Sequence, residues 1–179
     1  ALDLLQSFLA SDQEVFVLTG SAGTGKTSLA KALVDYLKNK EKRVVLAAPT
    51  GRAAGIIQEK TDHDASTIHS LIYEFTTKPK TGQVICRLAM PEHQSPGVYV
   101  VDEASMIPRL PSQDTDKFVS KSVLRDLWDY VFQFGKGNKV IFLGDACQLP
   151  PILEEKSSAL DADYLAKAFG AKVQAFSLQ

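Results

Sequence analysis

The sequence contains few cysteines and histidines and no long apolar run, and each shortage excludes a class of protein. Its two cysteines, Cys86 and Cys147, stand far apart among 179 residues, which indicates neither a disulfide framework nor a structural zinc site. The three histidines lack metal-ligand spacing as well. No segment approaches the ~18 apolar residues of a membrane span, and none resembles a signal peptide. We therefore expect a cytoplasmic protein with no membrane partner.

A surplus of positive charge is also missing. The chain has 20 Lys and Arg against 21 Asp and Glu, a net charge of −1. Nucleic-acid-binding domains often carry a basic excess, so any contact with nucleic acid must depend on a local arrangement of donor groups. The apolar share of 45% and the charged share of 23% are typical of a globular domain and exclude a disordered chain. The length predicts a single domain over residues 1–179.

Short apolar runs alternate with helical patterns along the chain, which predicts an α/β fold with a mostly parallel central sheet. Helical spacing predicts helices over 2–9, over 29–37 and over 124–132. Ser120 or Ser122 would cap the last of these, and Gly135 would end it. Trp128 falls on its apolar face and is assigned to the core. The predicted strands are 15–19, 44–48, 98–101, 140–143 and 173–176.

Residues 73–88 depart from this alternation of strands and helices. Two stretches with period-two patterning, 73–77 and 83–88, flank the turn-forming residues 78–82. The segment is either a small β-hairpin inserted into the α/β domain or an irregular surface loop.

A glycine-rich loop follows the first predicted strand and matches the pattern G-x-x-x-x-G-K-T. Glycines let backbone N–H groups approach a polyphosphate closely, and the N-terminus of the following helix adds positive potential. We expect Lys26 to contact the β- and γ-phosphates of ATP, and the Thr27 hydroxyl to bind Mg²⁺. The nucleotide-binding residues of the loop are Gly20, Ser21, Ala22, Gly23, Thr24, Gly25, Lys26 and Thr27.

Two carboxylates follow the apolar strand 98–101. Asp102 is expected to bind Mg²⁺, directly or through water, and Glu103 to accept a proton from an attacking water. The structural alternative is an acidic pair at a helix N-terminus. A kinase excludes water from its site and needs no such base, so Glu103 favours a hydrolase over a phosphotransferase.

Gln148 follows the strand 140–143 in the segment GDACQLPPI. In hydrolytic P-loop folds the strand after the Asp-Glu pair inserts beside the P-loop strand, which would bring Gln148 close to the γ-phosphate. Its amide can both donate and accept, so it could sense the γ-phosphate or the attacking water. The adjacent Pro150 and Pro151 would stiffen the loop that relays this signal. A plain polar turn is the alternative.

Taken together, these motifs resemble a known family. The segments GSAGTGKT, APTGRAA, STIHSL, VVDEASM and GDACQLPPI stand in the order of motifs I, Ia, Ib, II and III of superfamily 1B DNA helicases of the RecD-like type. The resemblance covers nearly the whole chain. It implies a RecA-like P-loop NTPase domain, ATP and Mg²⁺ as cofactors, and 5′-to-3′ movement along single-stranded DNA. DNA-repair or recombination proteins would be its partners.

The resemblance also implies which residues meet DNA. Relatives carry a small inserted domain at the position of 73–88 that separates the strands of a duplex. There Tyr73 or Phe75 would stack on a base, and deletion of 78–82 should abolish unwinding while sparing DNA-stimulated ATP hydrolysis. The residues that match the DNA-contacting motifs are Pro49, Thr50, Gly51, Arg52, Thr67 and His69.

Members of the family have a second RecA-like domain, whose arginine reaches the γ-phosphate across a cleft. That motif is not found in this sequence, so we expect the chain to be the first motor domain of a larger protein, with weak hydrolysis by itself. A relaxase that carries the same motor would show the same motifs. Two other functions stay open: a P-loop phosphotransferase, which leaves Glu103 and Gln148 without roles, and a nucleotide-gated DNA-binding module without turnover, which needs no Glu103.

Overall fold

A six-stranded parallel sheet with helices on both faces forms the centre of the computed structural model, which describes residues 2–77, 79, 82, 84–91, 93, 95–111, 122–133 and 136–178. No helix in that part of the chain is both long and apolar enough to span a membrane. The strands are β1 Val15–Gly20, β2 Arg43–Ala48, β3 Ala65–Thr67, β4 Tyr73–Thr77, β5 Val84–Leu88, β6 Gly97–Val101, β7 Lys139–Gly144 and β8 Val173–Leu178. The helices are α1 Leu2–Ala10, α2 Lys26–Asn39, α3 Gly51–Thr61, α4 Ile68–Ile72, α5 Val123–Phe132 and α6 Ala162–Phe169, with 3₁₀ turns at Ala104–Met106 and Ser158–Leu160.

The main sheet has the order β3-β2-β6-β7-β1-β8, and every neighbouring pair in it is parallel. This confirms the α/β fold with a mostly parallel sheet, and the five predicted strands agree with the observed ones to within two residues at either end. Strand β3 was not predicted, because its three residues are too few to show a pattern.

Alternate residues of β1 enter two separate hydrophobic cores, as they must when both faces of a sheet are covered. Val15 and Val17 pack on the face that α5 covers, whereas Phe16 and Leu18 pack on the face that α1 and α2 cover. Phe8 of α1 meets Phe16 edge to face, with 5.3 Å between ring centroids. The sheet is thus held rigidly from both sides, and its strand ends are fixed positions on which a site can be built.

Helix α5 begins as predicted, because the Ser122 hydroxyl accepts a hydrogen bond from the Arg125 N–H at 3.0 Å. The other two residues considered for its ends, Ser120 and Gly135, lie outside the described residues. Trp128 is partly buried against the core, and its ring stacks on Phe169 with 4.4 Å between centroids. It therefore packs between α5 and α6 and is no platform for a base.

Strands β4 and β5 form an antiparallel pair outside the main sheet, with Tyr73 opposite Leu88. Most of the turn predicted over 78–82 lies outside the residues that the structure describes. The Tyr73 side chain is only 8% exposed, and its hydroxyl donates a hydrogen bond to Asp126 Oδ2 at 2.7 Å. Tyr73 therefore faces the core and cannot stack on a base, so this part of the hypothesis was wrong. Phe75 is 55% exposed.

The bond between Tyr73 and Asp126 joins the β4–β5 pair to α5 across the core. Tyr73→Phe removes the hydroxyl and keeps the ring, so we expect it to lower the free energy of unfolding by about 1–3 kcal/mol, the loss typical of one hydrogen bond to a buried charged group. Denaturant titration measures the change. Tyr36→Phe on α2 is the control, since the Tyr36 hydroxyl makes no hydrogen bond within the described part of the chain. Equal stability of both variants would contradict a structural role for the bond.

Candidate active site

Three loops that follow neighbouring strands meet at one edge of the sheet. The glycine-rich loop follows β1, Asp102 and Glu103 follow β6, and Gln148 follows β7. Strand β7 pairs with β6 on one side and with β1 on the other, as predicted for a strand inserted beside the P-loop strand. Because all three strands are parallel, their carboxyl ends lie on the same edge, which is where open α/β sheets bind ligands.

The backbone of the glycine-rich loop adopts conformations that only glycine takes readily. Gly23 and Gly25 have φ angles of 82° and 87°. A Cβ atom on Gly20 would lie 2.6 Å from Thr24 Oγ1 and 3.0 Å from the Leu178 Cβ of β8, so the close turn at the end of β1 excludes a side chain. The loop between these glycines, including Ser21 and Ala22, is exposed. It forms an open cradle of backbone groups ahead of α2.

Lys26 is the first residue of α2, and its side chain folds back over the loop. Its Nζ donates hydrogen bonds to the carbonyls of Gly20 at 2.6 Å and Ser21 at 2.9 Å. The ammonium group is therefore positioned at the mouth of the cradle, beside the N-terminus of a 14-residue helix. Thr27 follows it on α2 and is half-buried. The arrangement suits an anionic ligand that carries several phosphates.

Asp102 is 6% exposed at the end of β6. Its N–H donates to the Ala47 carbonyl at 2.9 Å, which continues the pairing of β6 with β2, and its Oδ1 accepts from the Glu103 N–H at 2.9 Å. Burial raises the pKa of the Asp102 carboxyl, while the Glu103 N–H and the Lys26 ammonium act in the opposite direction. A carboxylate in this position gains free energy from a nearby cation.

The donors at this edge fit Mg²⁺. Thr27 and Asp102 offer a hydroxyl and a carboxylate, the hard oxygen ligands that Mg²⁺ prefers. Among the residues that the structure describes, no three His, Cys, Asp or Glu side chains come together to hold a metal by themselves. Mg²⁺ is usually bound by one or two protein side chains together with phosphate oxygens and water, so a site of two donors beside a phosphate cradle suits it.

Glu103 has a strained backbone. Its φ of 51° and ψ of 37° lie in the left-handed region, where a residue with a side chain is destabilised by about 1–2 kcal/mol. It precedes the 3₁₀ turn Ala104–Met106 and makes no capping hydrogen bond with its side chain. Strain of this kind is concentrated at functional sites, where the surrounding fold maintains it. Glu103 is half-buried and directly follows Asp102, and its negative charge adds to the effect of burial in raising the pKa of the Asp102 carboxyl.

Gln148 is joined to the loop that follows β6. Its Oε1 accepts a hydrogen bond from the Ser105 hydroxyl at 2.9 Å, and Ser105 is fully buried in the turn after Glu103. Asp145 orders the start of the Gln148 loop by accepting the Cys147 N–H at 2.8 Å. Ser105 was missed by sequence reasoning, although its place two residues after the acidic pair was the available signal. The bond ties the Gln148 side chain to the turn that follows Glu103.

The residues that match the DNA-contacting motifs lie farther along the same edge, after β2 and β3. Thr50 caps α3 by accepting the Ala53 N–H at 3.2 Å, and Thr67 caps α4 by accepting the Ser70 N–H at 3.0 Å. Arg52 and His69 are exposed. Gly51 is also exposed, and Pro49 is half-buried. All six residues thus lie where β2 leads into α3 and where β3 leads into α4, and the caps leave other N–H groups of α3 available to a ligand.

Comparison with known proteins agrees with this geometry. A family model described as an AAA domain, AAA_30, matches residues 2–162. The ATP-dependent RecD2 DNA helicase of Deinococcus radiodurans is 33% identical over 139 residues, which cover 76% of this chain and 16% of that protein. The ATP-dependent DNA helicase Pif1 of a Psychrobacter species is 31% identical over 152 residues, covering 85% and 21% respectively. The chain thus spans about a fifth of the length of these relatives.

The helicase relatives include a phage protein and a solved structure. The ATP-dependent DNA helicase dda of phage T4 is 28% identical over 110 residues, which cover 61% of this chain and 25% of that protein. The crystal structure of Pif1 helicase from Candida albicans superposes with a TM-score of 0.51 at 23% identity, covering 99% of this chain and 38% of that one, and it supports the fold. The family resemblance read from the motifs is therefore confirmed: the chain belongs to the AAA_30 family of AAA domains, with the superfamily 1B helicases RecD2, Pif1 and Dda among its relatives.

Proposed function

We propose that this chain is the first motor domain of an ATP-dependent DNA helicase, which binds and hydrolyses Mg-ATP and thereby moves 5′ to 3′ along single-stranded DNA. One observation carries the proposal. A phosphate cradle after β1, a carboxylate pair after β6 and the Gln148 loop after β7 lie at one sheet edge, beside the loops after β2 and β3 that match DNA-contacting motifs. The three relatives described above, each named as a DNA helicase, support the same assignment.

Each residue of the edge would have a defined task in hydrolysis. Lys26 would exchange its bonds to the Gly20 and Ser21 carbonyls for bonds to the β- and γ-phosphate oxygens. Thr27 and Asp102 would hold Mg²⁺, which neutralises charge on those oxygens. Glu103 would take one proton from the attacking water as the water oxygen bonds to the γ-phosphorus. The bond from that phosphorus to the β–γ bridging oxygen then breaks, and ADP and phosphate are released.

The DNA backbone would cross the carboxyl ends of β3 and β2. Unpaired N–H groups in the first turn of α3, together with Arg52, offer donors for one phosphate, and Thr67 and His69 offer donors for the next. Within the nucleotide site, the hydrogen bond between Ser105 and Gln148 at 2.9 Å links the turn after Glu103 to the loop after β7. A second RecA-like domain in the same protein would close over the nucleotide, and DNA-repair or recombination proteins would be further partners.

The test is ATP hydrolysis by the parent protein, measured with and without single-stranded DNA. We expect DNA to raise the rate several-fold, because a motor couples turnover to its track. If DNA does not change the rate of hydrolysis in a protein that still binds Mg-ATP, the motor function is contradicted. That result would favour a nucleotide-gated DNA-binding module. Phosphorylation of a small substrate without any response to DNA would instead identify a phosphotransferase.

A further inference from the structure

A cavity of about 170 Å³, here called the side pocket, lies at the same sheet edge as the nucleotide cradle but away from it. Its walls come from the loop after β2 with Pro49 and Thr50, the start of α4 with Ile68 and His69, and the end of the first 3₁₀ turn with Met106. Strands β6 and β7 separate β2 from β1, so the pocket and the cradle are about three strand spacings apart, roughly 14 Å. The side pocket is therefore separate from the glycine-rich loop.

The size and lining of the side pocket suit one flat ring. Aliphatic cavities of on the order of 150 Å³ bind benzene, so 170 Å³ has room for a single aromatic ring. The walls are mainly apolar, and Met106 stands at the mouth with 47% of its surface exposed. A methionine sulfur makes favourable contacts with aromatic ring edges. Thr50 and His69 are the polar groups of the lining, and the His69 ring is set against Tyr73 at 5.6 Å between centroids.

The surroundings of the side pocket favour a ligand in which the ring is attached to an anionic group. Thr50 lines the pocket and also caps α3, an 11-residue helix whose first turn contains the exposed Arg52. A phosphate beside this helix N-terminus would meet N–H groups, the positive end of the helix dipole and a guanidinium group. An apolar slot for a ring next to a phosphate site is the arrangement that one nucleotide of a strand requires, with its base inside and its phosphate at α3.

We infer that the side pocket takes up one base of the bound single-stranded DNA, so that this domain grips the strand by a base as well as by its phosphates. The inference rests on the proposed function, because it assigns the pocket to the DNA of that function. Because every base has a flat apolar face, the apolar walls would bind any of the four bases, and binding would depend little on the DNA sequence. Met106 ends the 3₁₀ turn that Glu103 precedes, so a base in the pocket would also press on the turn that holds the catalytic carboxylate.

The test compares two fluorescent oligonucleotides of equal length, oligo-dT and the same backbone with abasic sites, by anisotropy with the full chain. We expect wild type to bind oligo-dT about tenfold more tightly, since one stacked base contributes a factor of about 5 to 150. Met106→Ala, which opens the slot, should reduce the ratio of the two affinities. Val123, the first residue of α5, also lines the pocket, so Val123→Phe should fill the slot and remove the preference. Met90→Ala is the matched control, because Met90 is the other methionine, 66% exposed and absent from the pocket lining.

The outcomes separate the inference from the proposed function. Equal affinity of wild type for the two oligonucleotides, or an undiminished preference in both pocket variants, overturns the base site while DNA binding stands. A loss of preference in Met90→Ala as large as in Met106→Ala overturns it too, because the effect would then be unspecific. Failure to bind either oligonucleotide counts against the proposed function itself and removes the basis of the inference.

Discussion

Glu103→Gln is expected to leave Mg-ATP binding intact and to slow hydrolysis by about 10²- to 10⁴-fold, the contribution typical of a general base. The amide has the size of the carboxylate but cannot accept a proton from water at neutral pH. Glutamine meets the same backbone strain as glutamate, so the left-handed turn at φ 51° should persist. Single-turnover hydrolysis and equilibrium binding of a fluorescent ATP analogue, measured on the parent protein, give the two quantities separately.

The chain offers a closely matched control for this experiment. Glu41 also lies in the left-handed region, with φ 53°, and is exposed in the loop after α2. Glu41→Gln makes the same chemical change in the same backbone conformation and should have wild-type turnover. If Glu103→Gln hydrolyses ATP close to the wild-type rate, then Glu103 is not the base and the strain at this residue has another cause.

Lys26→Ala should weaken Mg-ATP binding about ten- to a hundred-fold, because it removes a charge-assisted contact that contributes about 1.5–3 kcal/mol. Its ammonium is already held at the mouth of the cradle by the Gly20 and Ser21 carbonyls, so little side-chain entropy is lost when phosphate binds. Isothermal titration calorimetry with Mg-ATP measures the dissociation constant.

Lys31→Ala separates this effect from a general loss of charge on α2. Lys31 lies on the same helix and forms a surface ion pair with Asp35 at 3.6 Å, which contributes little to stability. We expect its affinity for Mg-ATP to match that of wild type. An unchanged dissociation constant in Lys26→Ala would mean that the glycine-rich loop is not the nucleotide site.

The sequence predicted most of the sheet because its strands are apolar runs bounded by turns, and that signal is local. The same holds for the cradle, because Gly23 and Gly25 indicate a backbone with positive φ angles, which other residues rarely adopt. The cap at Ser122 was also local and was identified. What a residue type requires of its own backbone or its near neighbours can be read directly from the sequence.

The contacts that could not be predicted join residues far apart in the chain. The bond between Tyr73 and Asp126 crosses the core, and nothing in either segment indicates the other partner. The hydrogen bond from Ser105 to Gln148 is of the same kind. The left-handed backbone of Glu103 is imposed by the fold around it, since glutamate itself favours other conformations. The side pocket is likewise lined by segments far apart in the sequence that only the fold brings together.

The strand order has a consequence for how the protein forms. Of the six strands in the main sheet, β1 is synthesised first, whereas its two hydrogen-bonding neighbours, β7 and β8, are synthesised last. A nascent chain therefore carries an apolar strand with both edges unpaired, which is the kind of segment that aggregates or engages chaperones. Gly20, the first residue of the cradle, pairs with Leu178 of β8, so this strand pairing is completed only when β8 has joined the sheet. We therefore expect a nascent chain to bind nucleotide only after β8 has been synthesised and has paired with β1.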